Sequence, residues 1–254
     1  MEKRLMHKRL SEIVERLEKD GYVNAKELAQ CYQVSMETIR KDLHILEQMG
    51  IAQKEYGGAS LSILSLEKRY DFRKQNIEKK TEIAKRAVEE CRQVNTIFLD
   101  AGSTCLQCVD YLNRLEDKNI ITNSLLAFES LKETNNVFLT GGKKRDKNQA
   151  LVGNWAEKFI QSVHADICLL GSAGIKDSTG PTTHSYQELS LKQTMILQSD
   201  IVYVLVDSTK FAQNGLHTIT DWECIDGIIT DHLLSRQRYD ALKDRVNIII
   251  SKED

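Results

Sequence analysis

The sequence predicts an α/β protein in two parts: a small helical head ending in a short β wing, and a larger, mostly parallel α/β body. Three observations predict this. Residues 1–50 place apolar side chains at helical spacing, interrupted by turn residues. Beyond Cys91, apolar runs of strand length alternate with helical patterns, as in βαβ units. The 254 residues, 41% hydrophobic and 28% charged, suffice for one large domain or two unequal ones and exclude global disorder.

In the head, Leu5, Leu10, Ile13, Val14 and Leu17 form one apolar stripe, and Asp20-Gly21 ends that helix. A second helix opens in Val23–Ala29, with Asn24 as N-cap and Glu27 at the capping-box position. A turn near Gln33-Val34 leads to Ser35, the N-cap of a third helix from Met36 to about Met49, stopped by Gly50. Ile39, Leu43 and Leu46 face the small core, which leaves Glu37, Thr38, Arg40, Lys41 and His44 outward. A short helix, a tight turn and a helix with a polar, partly basic outer face make a helix-turn-helix. Residues 51–58 read as the wing, with Lys54 and Tyr56 as phosphate contacts. The first 60 residues hold ten Lys/Arg against ten Asp/Glu, so spacing alone would also fit a merely solvated helix face.

Residues 59–75 have no clean period and read as a linker between a domain at 1–58 and one at 76–254. Ile77, Ile83, Ala84, Ala87 and Val88 fit a helix. Strands are expected at 96–99, 120–122, 137–139, 167–170, 201–206, 228–230 and 246–250. Helices are expected between many of them, at about 105–115, 125–132, 155–163, 186–198 and 233–243. Such a sheet is covered on both faces and binds ligands at the carboxyl ends of its strands.

Those ends share a chemistry. They are Asp100-Ala101-Gly102-Ser103-Thr104, Thr122-Asn123-Ser124, Thr140-Gly141-Gly142, Gly171-Ser172-Ala173-Gly174 and Asp207-Ser208-Thr209-Lys210. Backbone N–H groups at Ser103-Thr104 and Ser124, each opening into a helix, suit a phosphate. Lys210 adds a charge-assisted contact. Asp100, Asn123, Glu188 and Asp207 can accept from sugar hydroxyls. One such loop is common in α/β proteins; five on one edge indicate a binding site.

Several classes are excluded or unsupported. The net charge of −2 neither requires nor forbids nucleic acid, since a local basic face is enough. No apolar run approaches the ~18–20 residues that span a bilayer. The charged N-terminus lacks the apolar core of a signal peptide, so a cytoplasmic protein is expected. The six cysteines read as reduced and mostly buried, and Cys105/Cys108 as small residues one helical turn apart rather than metal ligands. Neither a Walker A nor a G-x-G-x-x-G motif occurs, so no cofactor is expected.

The segment LAQCYQVSMETIRKDLHILEQMGIAQKEYGGA resembles the DNA-binding domain of the DeoR family of bacterial transcriptional regulators. Val34-Ser35, Thr38–Leu43, Leu46-Glu47, Gly50 and Gly57-Gly58 carry the likeness. In the body, F-L-D-A-G-S-T, I-T-N-S-L, the Gly141-Gly142 pair, L-x-G at Leu151–Gly153, E-x-x-x-K at Glu188–Lys192 and D-S-T-K-F at Asp207–Phe211 resemble that family's effector domain. That domain is similar in fold to ribose-5-phosphate isomerase. Two departures stand out: Cys105 replaces a frequent Thr, and Gln33 occupies a turn position often held by Gly or Asn, where a left-handed residue costs about 1 kcal/mol.

The resemblance implies that Ser35 caps the recognition helix, that Thr38, Arg40 and Lys41 face DNA, and that Gly57-Gly58 turn the wing. Asp42 carries the wrong sign for DNA and is expected to pair internally, with Arg40 or Lys41. The resemblance also implies a sensor for a phosphorylated sugar. Together these give a repressor of a carbohydrate-utilisation operon, binding double-stranded operator DNA as a dimer or tetramer. Two alternatives stand beside it. One is an isomerase-like enzyme with Glu188 or Asp207 as base. The other is DNA binding in which the body only oligomerises.

Overall fold

The computed structural model describes residues 2–48, 51–61, 76–145, 148–177 and 179–252. Gly50 and most of the expected linker, 62–75, lie outside them. The chain divides into two compact units, Met1–Gln75 and Asn76–Asp254.

The first unit comprises α1 (Glu2–Asp20), β1 (Tyr22–Asn24), α2 (Ala25–Tyr32), α3 (Met36–Gln48), β2 (Ala52–Glu55) and β3 (Gly58–Leu61). Leu10, Ile13 and Leu17 of α1 pack with Leu28, Ile39, Leu43 and Leu46, all nearly inaccessible. Asn24 Oδ1 accepts from the backbone N–H of Lys26 and Glu27 at 2.9 and 3.3 Å and starts α2. Gln33 ends α2 at φ 53°, ψ 44°, the left-handed conformation anticipated at the turn.

The wing has one strand more than expected. The antiparallel sheet runs β1-β3-β2, because three residues that read as a helix entrance pair with β3. Strand β3 also extends to Leu61, so residues 59–61 belong to the sheet rather than to a linker. Gly58 is obligatory: a Cβ there would lie 2.0 Å from the Val23 carbonyl oxygen.

The second unit opens with α4 (Ile77–Glu90), β4 (Thr96–Leu99), α5 (Ser103–Gln107), α6 (Val109–Leu112), β5 (Asn119–Thr122), α7 (Leu125–Ser130) and β6 (Asn136–Leu139). A hairpin follows, β7 (Lys143–Arg145) and β8 (Ala150–Val152), then α8 (Asn154–Gln161) and β9 (Ala165–Gly171). Next come β10 (Thr182–Thr183), α9 (Tyr186–Leu197), β11 (Ser199–Leu205), β12 (His217–Thr218), β13 (Gly227–Thr230), α10 (Arg236–Leu242) and β14 (Ile248–Ile250). Strand β10 pairs antiparallel with β12.

Seven strands form one sheet in the order β14-β13-β11-β9-β4-β5-β6, every pair parallel. They are the seven expected from the apolar runs. Alternation within β4 serves two cores. Ile97 and Leu99 pack with Ile83, Ala87, Leu112 and Ala127 on one face, and Phe98 packs with Ala156, Ile160, Leu191 and Met195 on the other. The chain leaves β4 for β5 on one side and returns to β9 on the other, so the order reverses between β4 and β9. Ligands of open parallel sheets bind outside such a reversal.

The helix expected over 105–115 breaks at Cys108 into α5 and α6, and the one over 233–243 begins only at Arg236. Asp231 Oδ1 accepts from Leu233 N at 3.1 Å and holds the preceding residues in a turn. Cys91, Cys105, Cys108 and Cys168 are buried free thiols, while Cys31 and Cys224 are exposed. Burial pushes the Cys91 thiol up to about 12, and those of Cys105 and Cys108 well above the usual range, which leaves them unreactive packing groups. Among the described residues no helix is long and apolar enough to cross a membrane.

Candidate nucleic-acid interface and effector site

In the head, Ser35 Oγ accepts from Thr38 N at 3.1 Å and lies 2.9 Å from Thr38 Oγ1, so both hydroxyls work at the helix entrance. Arg40, Lys41 and His44 are exposed along α3, on the face opposite buried Ile39, Leu43 and Leu46. Asp42 is 2% exposed and pairs with neither Arg40 nor Lys41. Its carboxylate accepts from Arg9 of α1, Nε at 2.6 Å and Nη2 at 3.2 Å. Neighbours one or two apart on a helix point away from each other, so the cation had to come from another element. The pair ties the recognition helix to α1 and leaves Arg40 and Lys41 outward.

The wing is clasped to the same helix. Lys54 donates its backbone N–H to Glu47 Oε1 at 3.3 Å, and its ammonium lies 3.5 Å from Oε2. His44 Nδ1 is 3.4 Å from Glu47 Oε2. Lys54, first with its backbone N–H, and His44 together hold the Glu47 carboxyl below the usual range. Lys54 therefore positions the wing as well as carrying charge. Tyr56 stands fully exposed at the wing turn, with Gly57 at φ 81° beside it.

In the body, Asp100, Gly102, Gly171 and Lys192 meet at the β4/β9 reversal. Asp100 Oδ2 accepts from Gly171 N at 2.9 Å and from Lys192 Nζ, and Lys192 also donates to Gly171 O at 2.9 Å. Burial alone would pull Lys192 down, but Asp100 and Glu188 outweigh it and hold the ammonium above the usual lysine range. A Cβ on Gly102 would come within 3.2 Å of Gly171 Cα, so two glycines let the loops touch here. Asp100 and Lys192 thus brace the site floor. Gly174 is likewise structural, since a Cβ would lie 2.1 Å from Gln213 O.

Ser103 and Thr104 open α5, and Ser124 opens α7 with its Oγ accepting from Ala127 N at 3.2 Å. These helices have only five and six residues, so neither offers a long macrodipole. Contrary to expectation, the N–H groups at the Ser124 helix are already committed: Ser124 N donates to Thr122 Oγ1 at 3.0 Å and Leu125 N to Gln149 O at 3.0 Å. Asn123 is 1% exposed; its Nδ2 donates to Leu151 O at 3.3 Å, and its Oδ1 has no partner among the described residues. Gly141 and Gly142, at φ 69° and 109°, lead into the β7–β8 hairpin.

A cationic cluster lies at the end of β11. Asp207 Oδ1 accepts from Thr209 N at 3.0 Å and from Asn76 Nδ2 at 3.4 Å. Lys210, 8% exposed, donates to Gln213 Oε1 at 3.2 Å. Lys80 of α4 is 3% exposed. Burial lowers it from 10.5 to about 8, Asp207 opposing the fall and Lys210 deepening it, so the three groups feel one another. Lys79 donates to Ser208 Oγ at 3.1 Å. Ser103 and Lys210 follow the carboxyl ends of β4 and β11, the strands on either side of β9, which run about 10 Å apart at two strand spacings.

Sequence reasoning missed Lys79, Lys80, Asn148, Thr183 and Asp231. Lys80 was detectable, because it continues the apolar stripe of Ile83, Ala84 and Ala87, where lysine rarely lies. Of the histidines, His164 pairs with Asp200 at 2.8 Å and His232 with Glu82 at 2.9 Å, while buried His217 sits edge-on to Tyr186 and opposite Thr183 in the β10–β12 pair.

Residues 9–62 match the model of the DeoR-like helix-turn-helix domain, and residues 75–232 match the DeoR C terminal sensor domain. The chain is 33% identical to the HTH-type transcriptional regulator GolR of Listeria innocua, covering 93% of this chain and 94% of that protein. It is 30% identical to the Glycerol-3-phosphate regulon repressor of Escherichia coli K12, over 86% and 88%. It is 31% identical to a Lactose phosphotransferase system repressor of Staphylococcus epidermidis, over 88% and 91%. A Plasmodium falciparum ribose 5-phosphate isomerase aligns with TM-score 0.38 and 20% identity over 54% of each chain, a likeness that carries no chemistry. With both domain models matched in order and relatives aligned along most of its length, the chain belongs to the DeoR family of transcriptional regulators.

Proposed function

We propose that this chain represses a carbohydrate-utilisation operon and leaves its operator when a phosphorylated sugar binds the carboxyl edge of the sheet. One observation carries the reading: two buried lysines, Lys80 and Lys210, share that edge with Asp207 and with the loop of Ser103 and Thr104. Two ammonium groups in low-dielectric surroundings repel, and a phosphate dianion converts that cost into attraction. Ser103 and Thr104 supply N–H and hydroxyl donors and Ser124 its hydroxyl; Asn123, Glu188 and Asp207 receive hydroxyls.

In the head, Arg40 reads a base edge while Ser35, Lys41, Lys54 and Tyr56 meet phosphates. One recognition helix spans few base pairs, so a dimer or tetramer engages repeated half-sites. The protein acts in the cytoplasm as a regulator and not a catalyst.

The test is a thermal-shift screen against pentose and hexose phosphates, followed by operator release. A ligand at 100 times its Kd should stabilise the protein by about 2.7 kcal/mol. Turnover of a sugar phosphate by pure protein, or no shift with any member, would refute the reading.

A further inference from the structure

Every phosphorylated sugar carries the same phosphate, so the cationic end of the edge cannot tell one from another. Selectivity needs groups that meet hydroxyls. The β7–β8 hairpin lies across the end of β5: Leu151 N donates to Asn123 O at 2.7 Å, and Leu125 N donates to Gln149 O at 3.0 Å. From this hairpin Arg145 and Asn148 reach Glu188, in the first turn of α9.

Asn148 Nδ2 donates to Glu188 Oε1. Arg145 Nη1 donates to Asn148 Oδ1 at 3.1 Å and lies 3.6 Å from the same carboxylate oxygen. The Thr183 hydroxyl donates to Oε2 at 3.4 Å. The side chains of Arg145 and Glu188 are only 12% and 13% exposed.

The hairpin also aims Asn123. Its amide nitrogen is committed to Leu151 O, and turning the amide over would set oxygen against oxygen. Asn123 Oδ1 is therefore a buried acceptor without a donor among the described residues, and a buried acceptor calls for one. A sugar hydroxyl is such a donor. A carboxylate held partly by neutral donors can exchange them for hydroxyls in the same way.

Resting on the phosphorylated-sugar reading above, we infer that Asn148 and Arg145 of the hairpin, with Glu188 and Asn123, form the hydroxyl-reading end of the effector site. They set which sugar phosphate the protein answers to, while Lys80 and Lys210 set that it is phosphorylated.

The full chain would be titrated calorimetrically with inorganic phosphate, glycerol 3-phosphate, ribose 5-phosphate and the 6-phosphates of glucose, galactose, fructose and tagatose. In Asn148→Ala the affinity ratio of the preferred sugar phosphate to inorganic phosphate should fall about tenfold, the scale of one lost hydroxyl contact. Arg145→Ala, away from the β5 contacts, serves as the second variant should the first fold poorly. Lys210→Ala should lower all phosphorylated compounds together. If both hairpin variants keep the wild-type ratios and ranking, the inference is wrong although the phosphate reading stands. If Lys210→Ala changes nothing while the hairpin variants reorder the sugars, the hydroxyl end is upheld and the cationic end is misassigned. If wild type binds no member, both readings fall.

Discussion

Lys80→Met should make the body more stable and less able to hold a phosphorylated ligand, a pairing that separates a ligand-site lysine from a packing one. Burial holds Lys80 at about 8 against an ordinary 10.5. Below about 8 the folded and unfolded chains both carry the proton, and folding bears the full cost of the buried ammonium. Between about 8 and 10.5 only the unfolded chain keeps it, so stability rises with pH across that window. The depression corresponds to about 3 kcal/mol, and screening at the edge of the site leaves about 2 kcal/mol. Methionine keeps the aliphatic length without the charge, so the variant should gain about 2 kcal/mol near neutrality and lose that advantage toward pH 10. Urea denaturation across this range measures it.

Ligand reverses the balance. A phosphate beside Lys80 favours the ammonium, so binding near pH 8 should take up about half a proton, and affinity should fall as pH rises further. Calorimetry in buffers of different ionisation heat reads the uptake directly. No uptake, together with wild-type affinity in Lys80→Met, would refute the assignment.

Three further outcomes follow from the head. Asp42→Ala leaves Arg9 without its carboxylate and should cost about 3 kcal/mol, measured by chemical denaturation; a loss below about 0.5 kcal/mol would mean the pair anchors nothing. Gln33→Asn places a residue tolerant of the left-handed region at φ 53° and should raise stability by up to about 1 kcal/mol, seen as a higher Tm. Ser35→Ala removes the cap on Thr38 N and should lower stability by about 1 kcal/mol and weaken operator binding in fluorescence anisotropy.

The parallel sheet was legible because each of its seven strands is a short apolar run, the partly exposed edge strands β6 and β14 included. Strand β1 was not, because three residues carry no period and its pairing with β3 is a long-range event. The exposed face of α3 followed from where Ile39, Leu43 and Leu46 had to go. The partner of Asp42 did not, because Arg9 lies 33 residues away in sequence. The carboxyl-edge loops were readable one by one from their small and hydroxyl residues. What they brace against was not: Lys192 beneath Asp100 and Lys80 beside Lys210 are set by tertiary packing, and helical spacing records only that a lysine sits on a buried stripe.

The measurement that bears most directly on a DNA-reading head governed by a phosphate-holding body is a double titration. Operator selected from random double-stranded DNA is titrated with protein at rising concentrations of the best sugar phosphate, and that ligand is titrated into free and operator-bound protein. Both affinities should fall by one common factor of about 5–150. Operator affinity that stays constant while the ligand site fills would contradict the account.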